Sequence, residues 1–378
     1  MINNSRLADE FARLAAISSP SFRESEISAY LTRRFTELGC RVVADGAGAR
    51  TGSQSDNLVA YWPASGKEAE PIMLSVHMDT VEPAENVVPV LRDGVFFSAG
   101  DTVLGSDDKS GIAEIIEAME VVREQNIPHG PVEIVITVCE EVGLVGAKNF
   151  DASLLQSKRG IALDTAGVNI LIHRAPCANK LRMEIIGQES HAGIAPEKGL
   201  SAILVATRAL EKMRLGRIDD ETTANIGTIH GGQATNIVPR KVVLEGEARS
   251  HDPAKLEQQT QHMLDCLKTA AEELAVDING RPFQAQVTTE VMADYPVMAV
   301  AVDSPWIQSI ADAHHRLGRE LVIKGSGGGS DANIFNGYGI ETVILATGMS
   351  NVHSCEEHIA VADMTMVSEA LVEIIRGA

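Results

Sequence analysis

Five short stretches of this chain carry side chains able to bind divalent cations, and cations held together in this way could activate a water molecule. The first is Ser75-Val76-His77-Met78-Asp79. Residues i and i+2 of an extended segment share a face, so the Asp79 carboxylate can accept a hydrogen bond from one ring nitrogen of His77 and leave the other for a metal. Taken alone, His-x-Asp reads as a surface histidine ahead of a ligand. The second stretch is Asp107-Asp108-Lys109-Ser110-Gly111, at the start of a helical pattern. Acidic residues there complement the helix dipole, and a carboxylate can also bridge two cations through its two oxygens; both readings stand. The third is Cys139-Glu140-Glu141-Val142-Gly143, directly after an apolar run. Adjacent acids on an extended chain face opposite ways, so a bend helped by Gly143 is needed before one can ligate a metal and the other act as general base. Asp164 and His353 each follow a further apolar run, where loop polarity is the competing reading.

The elements that must position these residues are legible from apolar spacing. Helices are predicted over 7–16, 24–38, 110–124, 201–213, 254–274 and 304–317, and strands over 72–76, 132–138, 161–163, 180–187, 224–231, 241–249, 283–291 and 342–346. Alternation of strand and helix up to about residue 175, resumed after 294, predicts an α/β catalytic domain with a mostly parallel sheet and flanking helices. The β-α-β-β-α-β order between them predicts an inserted α+β ferredoxin-like domain. The expected division is 1–175 and 294–378 for the catalytic domain and 176–293 for the insert. Each candidate ligand then falls just past a strand, where ligands gather in open α/β sheets.

Composition excludes several alternatives. With 32 Lys+Arg against 52 Asp+Glu, the net charge of −20 repels phosphate backbones and anionic bilayers, so neither nucleic acid nor membrane is an expected partner. No run reaches the ~18–20 apolar residues of a membrane span. Five cysteines without CxxC spacing and no export-type N-terminus point to reduced thiols and a cytoplasmic protein.

The order His-x-Asp, Asp-Asp-Lys-x-Gly, Glu-Glu, Asp and late His resembles the dinuclear zinc exopeptidase and amidohydrolase family that includes peptidase T (tripeptidase), glutamate carboxypeptidase and aminoacylase. The segment 104–114, LGSDDKSGIAE, is especially similar to peptidase T. The likeness implies metal-dependent hydrolysis of short peptides, with N-acyl-amino-acid deacylation or carboxypeptidase activity as the alternative. It implies two divalent ions per chain, zinc foremost and cobalt or manganese possible. His77 and Asp164 would hold one ion, Glu141 and His353 the other, and Asp107 would bridge them across a cis Asp107–Asp108 bond. Asp79 would orient His77, and Glu140 would be the general base. In the insert, His191 would stabilise the oxyanion, in its own or a partner subunit's site, while Arg249 and Asn236 would meet a substrate carboxylate. The likeness also implies a homodimer formed through the insert, which would then serve as lid and dimerisation domain. The loop 325–331, GSGGGSD, lacks the Lys-Ser/Thr of a phosphate-binding loop. It reads as a backbone wall, Gly328 and Gly329 included, for the charged end of a substrate, or as a plain connector.

Overall fold

The computed structural model describes all residues, Met1–Ala378. The chain divides into two compact units, one of Met1–Ala175 with Met298–Ala378 and one of Pro176–Val297.

In the first unit a nine-stranded sheet is built around strands Val132–Thr137, Ile72–His77, Arg159–Leu163 and Glu341–Leu345, adjacent in that order and parallel. The first two are buried at every position, as expected of strands covered on both faces. The sheet is mixed rather than mostly parallel. Leu58–Trp62 and Arg41–Ala44 on one side, and Ile170–Ala175 with Met298–Ala299 on the other, join it antiparallel. Connection length explains this: residues 63–71 and 164–169 are too few for the crossover that a parallel return requires. Because the four central strands run the same way, the chain leaves all of them at one edge, and the segments carrying His77, Glu140, Asp164 and His353 follow from that edge.

Helix Ser106–Glu124 packs on this sheet and is buried almost throughout, and helix Val361–Gly377, buried along one face, packs beside it. Met364, Val367, Leu371 and Ile374 of the latter recur at helical spacing and are buried, a signal the expected elements above did not include. Gly111 sets how closely helix and sheet approach. A Cβ there would lie 2.9 Å from Leu163 Cβ and 3.0 Å from Val76 Cγ1. Alanine would gain up to about 1 kcal/mol of helix propensity, but overpacking against atoms held by the sheet backbone costs about 1–3 kcal/mol. Gly111→Ala is therefore expected to lower the unfolding free energy by about 1 kcal/mol or more, read as a lower denaturant midpoint at unchanged m-value; an unchanged midpoint would refute the close approach.

The second unit holds a five-stranded antiparallel sheet, in the order Gly216–Arg217, Thr222–Gly231, Lys241–Ser250, Cys177–Ile186, Gln286–Tyr295. Helices Ala202–Lys212 and Pro253–Glu273 pack on it around a core that includes Leu181, Met183, Val205, Leu244 and Met263. The last strand lies later than 283–291. Asn279 and Gly280, both at positive φ, first turn a hairpin between Val276–Ile278 and Arg281–Phe283. Pairing of Gln286–Tyr295 with Cys177–Ile186 through Tyr295 carries the unit past 293, to Val297.

Candidate metal centre

His77 ends its strand and is 2% exposed. Its Nε2 lies 3.1 Å from Asp107 Oδ1. The other Asp107 oxygen, Oδ2, lies 3.2 Å from His353 Nε2, which is also 3.0 Å from Glu141 Oε2. One carboxylate thus faces a different histidine with each oxygen. His77, Asp107 and Glu141 each bring a ligand atom within 4.8 Å of the others. Glu141 Oε1 is buried with no hydrogen-bond partner. A mixed set of imidazole nitrogen and carboxylate oxygen donors, with a buried carboxylate oxygen left free, fits a divalent ion such as zinc.

Local backbone explains how these atoms meet. Asp107 and Asp108 depart from helical dihedrals at the head of helix Ser106–Glu124, and the bond between them is cis. Asp108 Oδ2 accepts the His77 N–H at 3.1 Å, tying the two loops together. Asp79 meets His77 more closely through its backbone than through its carboxylate. The His77 Nδ1 lies 3.0 Å from the Asp79 backbone oxygen and 3.5 Å from the nearer carboxylate oxygen. The carboxylate instead accepts the backbone N–H groups of Glu140 at 2.9 Å and Glu141 at 3.2 Å, and the Ser21 hydroxyl at 2.7 Å. It therefore holds the bend that lets two adjacent acids turn toward one centre, a role invisible to i, i+2 spacing. The bend closes with Gly143 and Leu144 donating to the Glu140 carbonyl.

Charge within the centre is balanced by the histidines. Asp107 and Glu141 push the His353 imidazole up to about 10. His77 is also held well above its ordinary value: burial opposes its charge, but Asp107 and Asp79 outweigh that. Burial raises the carboxyls of Glu140 and Asp164 well above the usual range, and each is near other acids, Asp164 for the first and Asp107 for the second. Asp107, though buried, is held low by His353 and His77. Asp164 is half-buried and lies outside the group of three close ligand atoms. A histidine must be neutral to ligate a metal, so cation binding displaces protons here. Zinc titrated into metal-free protein at pH 7.5 is expected to release on the order of one proton per chain, seen as heats that change with buffer ionisation enthalpy. The His353 pairing stabilises metal-free protein fully below about 6.5, and that contribution fades as pH rises through about 10. Buffer-independent heats would refute the proton-holding site.

The sequence matches the profile of the peptidase family M20/M25/M40 over residues 73–377. The chain belongs to this family. It is a hydrolase acting on peptide bonds. This M20 peptidase is 43% identical over 379 residues, all of both chains, to the uncharacterized protein YqjE of Bacillus subtilis. The crystal structure of aminopeptidase PepT from Bacillus cereus superposes with a TM-score of 0.92 at 42% identity, covering 100% of this chain and 99% of that one. A tripeptidase from Staphylococcus aureus gives 0.94 at 39% identity, covering 100% and 98%.

Two acids of this M20 peptidase were not among the residues expected from sequence. Glu357 is buried and accepts from Gly105 N at 2.8 Å, Ser106 Oγ at 2.6 Å and Asp107 N at 3.0 Å, fixing the loop that presents Asp107. Asp331 is buried at the start of the short helix Asp331–Gly337; one oxygen accepts the Thr137 hydroxyl and the other has no partner. Burial pushes its carboxyl up to about 6. Its only sequence signal was the Ser330…Asn333 capping pattern that closes the glycine-rich loop. Within that loop Gly328 donates to Ser326 Oγ at 3.1 Å, and a Cβ on Gly327 or Gly328 would meet nothing within 4 Å; Gly329 is half-buried.

In the second unit, His191 and Asn236 lie on adjoining backbone. His191 bridges Ile237, Ala192 N donates to Asn236 O at 2.9 Å, and both side chains are on exposed residues. Arg249, on strand Lys241–Ser250, donates to Glu247 at 2.9 Å. No helix of the chain is long and apolar enough to cross a membrane.

Proposed function

We propose that this chain is a dinuclear tripeptide aminopeptidase in which His77 and Asp164 would hold one divalent ion, Glu141 and His353 would hold a second, and Asp107 would serve both. The observation that carries the reading is Asp107 itself, with one oxygen 3.1 Å from His77 Nε2 and the other 3.2 Å from His353 Nε2. Two ions held this way, when bound, polarise a scissile carbonyl and acidify water. The protein's own part is proton transfer and orientation. Glu140, adjacent to a ligand and with its backbone held by Asp79, takes the proton of the attacking water and delivers it to the leaving amine. Asp164 stands close enough to Asp107 and His77 for their charges to shift it, which supports its place in the set.

His191, Asn236, Arg249 and the wall at Gly328 and Gly329 are assigned on their motifs, the first to the oxyanion and the rest to the charged end of the peptide. Homodimer formation and lid action of the second unit belong to the same reading, with light scattering as the check on the dimer. The deciding assay measures amine release by metal-reconstituted protein from free tripeptides, dipeptides, N-acetylated peptides and C-terminally amidated peptides. Cleavage of free tripeptides that stops when the N-terminus is blocked is the expected result. Cleavage of N-acyl substrates alone would replace the aminopeptidase reading with deacylation at the same centre.

A further inference from the structure

Glu24 occupies the N-cap position of helix Ser25–Glu37, yet its side chain makes no cap hydrogen bond. It is fully buried, and its carboxylate points to a segment 115 residues away in sequence. Oε1 accepts from the Cys139 N–H at 3.1 Å, the Cys139 thiol at 3.1 Å and the Phe22 N–H at 2.9 Å, while Oε2 accepts the Ser53 hydroxyl at 2.6 Å. Cys139 is the residue before Glu140, and its φ of 53° lies in the left-handed region that non-glycine residues rarely adopt. Such a conformation persists only where surrounding contacts over-determine it. Two of those contacts, backbone and thiol, end on one oxygen of Glu24.

The neighbouring residues repeat the pattern. Ile17 O accepts the buried Lys109 ammonium at 2.7 Å, Ser19 O accepts Thr80 N at 3.0 Å, and Ser21 donates to Asp79 at 2.7 Å. One stretch, 17–24, thereby touches the segments bearing His77, Asp107 and Glu140. We propose that Glu24 is a positioning residue for catalysis: it locks the left-handed Cys139 turn and so aims the Glu140 carboxylate. The inference rests on Glu140 being the base. Released from Glu24, Cys139 can return to ordinary dihedrals, which rotates the next residue; a displacement of about 1 Å at a reacting group costs about 10²-fold in rate.

The arrangement also predicts which substitution is tolerated. Three donors meet Oε1 and only a hydroxyl meets Oε2, and a hydroxyl can accept as well as donate. Glutamine therefore fits, with its amide oxygen toward Cys139 and its NH₂ toward Ser53, whereas alanine leaves all four donors without their acceptor. The test compares Glu24→Ala and Glu24→Gln with the natural protein in kcat, KM, bound metal per chain and melting temperature. Glu24→Ala is expected to lower kcat by about 10²-fold with KM and metal content unchanged, and Glu24→Gln to recover most of that loss. Should Glu24→Ala fail to fold, Glu24→Asp, which keeps the charge but withdraws the acceptor by one methylene, is held to the same kcat, KM and metal criteria. Unchanged kcat, or a fall matched by loss of metal, overturns the positioning role. Glu140→Ala run in parallel separates the two readings. If it abolishes turnover while Glu24→Ala leaves kcat unchanged, only the positioning role falls; if it retains turnover, the base assignment falls and takes this role with it.

Discussion

Glu140→Ala is expected to lower kcat by about 10²–10⁴-fold, the usual contribution of a positioned general base, while bound metal stays at the natural level. The separation follows from where Glu140 stands. The close ligand group comprises His77, Asp107 and Glu141, so deleting the Glu140 carboxylate removes no atom of it. Its backbone N–H is held by Asp79 Oδ1 at 2.9 Å whatever side chain follows, so the bend that presents Glu141 survives. Burial, with Asp164 and Asp331 nearby, makes its ionised form costly, and removing a buried acid relieves that repulsion. Turnover of a free tripeptide measured beside elemental analysis of the same sample decides the matter. Full turnover would exclude Glu140 as base, and loss of metal in step with activity would make it a ligand instead.

Asp107→Ala should be the more severe change in a different respect, because it removes the only group that faces both histidines, 3.1 Å from His77 and 3.2 Å from His353. Bound metal is expected to fall below the natural stoichiometry. Losing several kcal/mol of charge stabilisation corresponds to a rate loss of at least about 10³-fold. Both imidazoles would also lose the partner that raises them, so in metal-free protein His77 and His353 should titrate at lower pH than in the parent, by NMR. Retention of both ions with natural activity would remove Asp107 from the bridging role. Circular dichroism guards against a trivial explanation, since the loop is still anchored by Glu357 through Gly105 N and Ser106 Oγ.

How much of this was readable in the sequence depended on whether the signal was local. The central strands announce themselves as mostly apolar runs because both faces are covered, and the acids and histidines that follow them are conspicuous for that reason. The antiparallel flanks were less visible, since Arg41–Ala44 and Ile170–Ala175 are short and only partly buried. The three-stranded sheet of Pro89–Arg92, Val95–Ser98 and His358–Ala360 has little alternation to find. Within the site, donors and acceptors were legible by type, but the direction in which each carboxylate points was not. Spacing linked Asp79 to His77, two residues away, whereas its oxygens reach the Glu140 and Glu141 amides 61 and 62 positions along the chain. Glu24, Asp331 and Glu357 act over longer separations still, and apart from the capping pattern beside Asp331 nothing in their flanking residues distinguishes them from solvated acids.

The reach of Glu357 has a consequence for how the protein matures. Its carboxylate closes on Gly105, Ser106 and Asp107 across 250 to 252 positions, and His353 comes from the same late segment. A growing polypeptide emerging from the ribosome carries His77, Asp107 and Glu141 long before these partners exist. Domains form as units during synthesis, N-terminal parts first, yet this one has its two ends woven into a single sheet. A chain made only as far as Glu141 presents three of these donors, and the second histidine and the clamp on the Asp107 loop arrive together in a later segment. The full set of donors around Asp107 therefore exists only once residues 353–357 have been added.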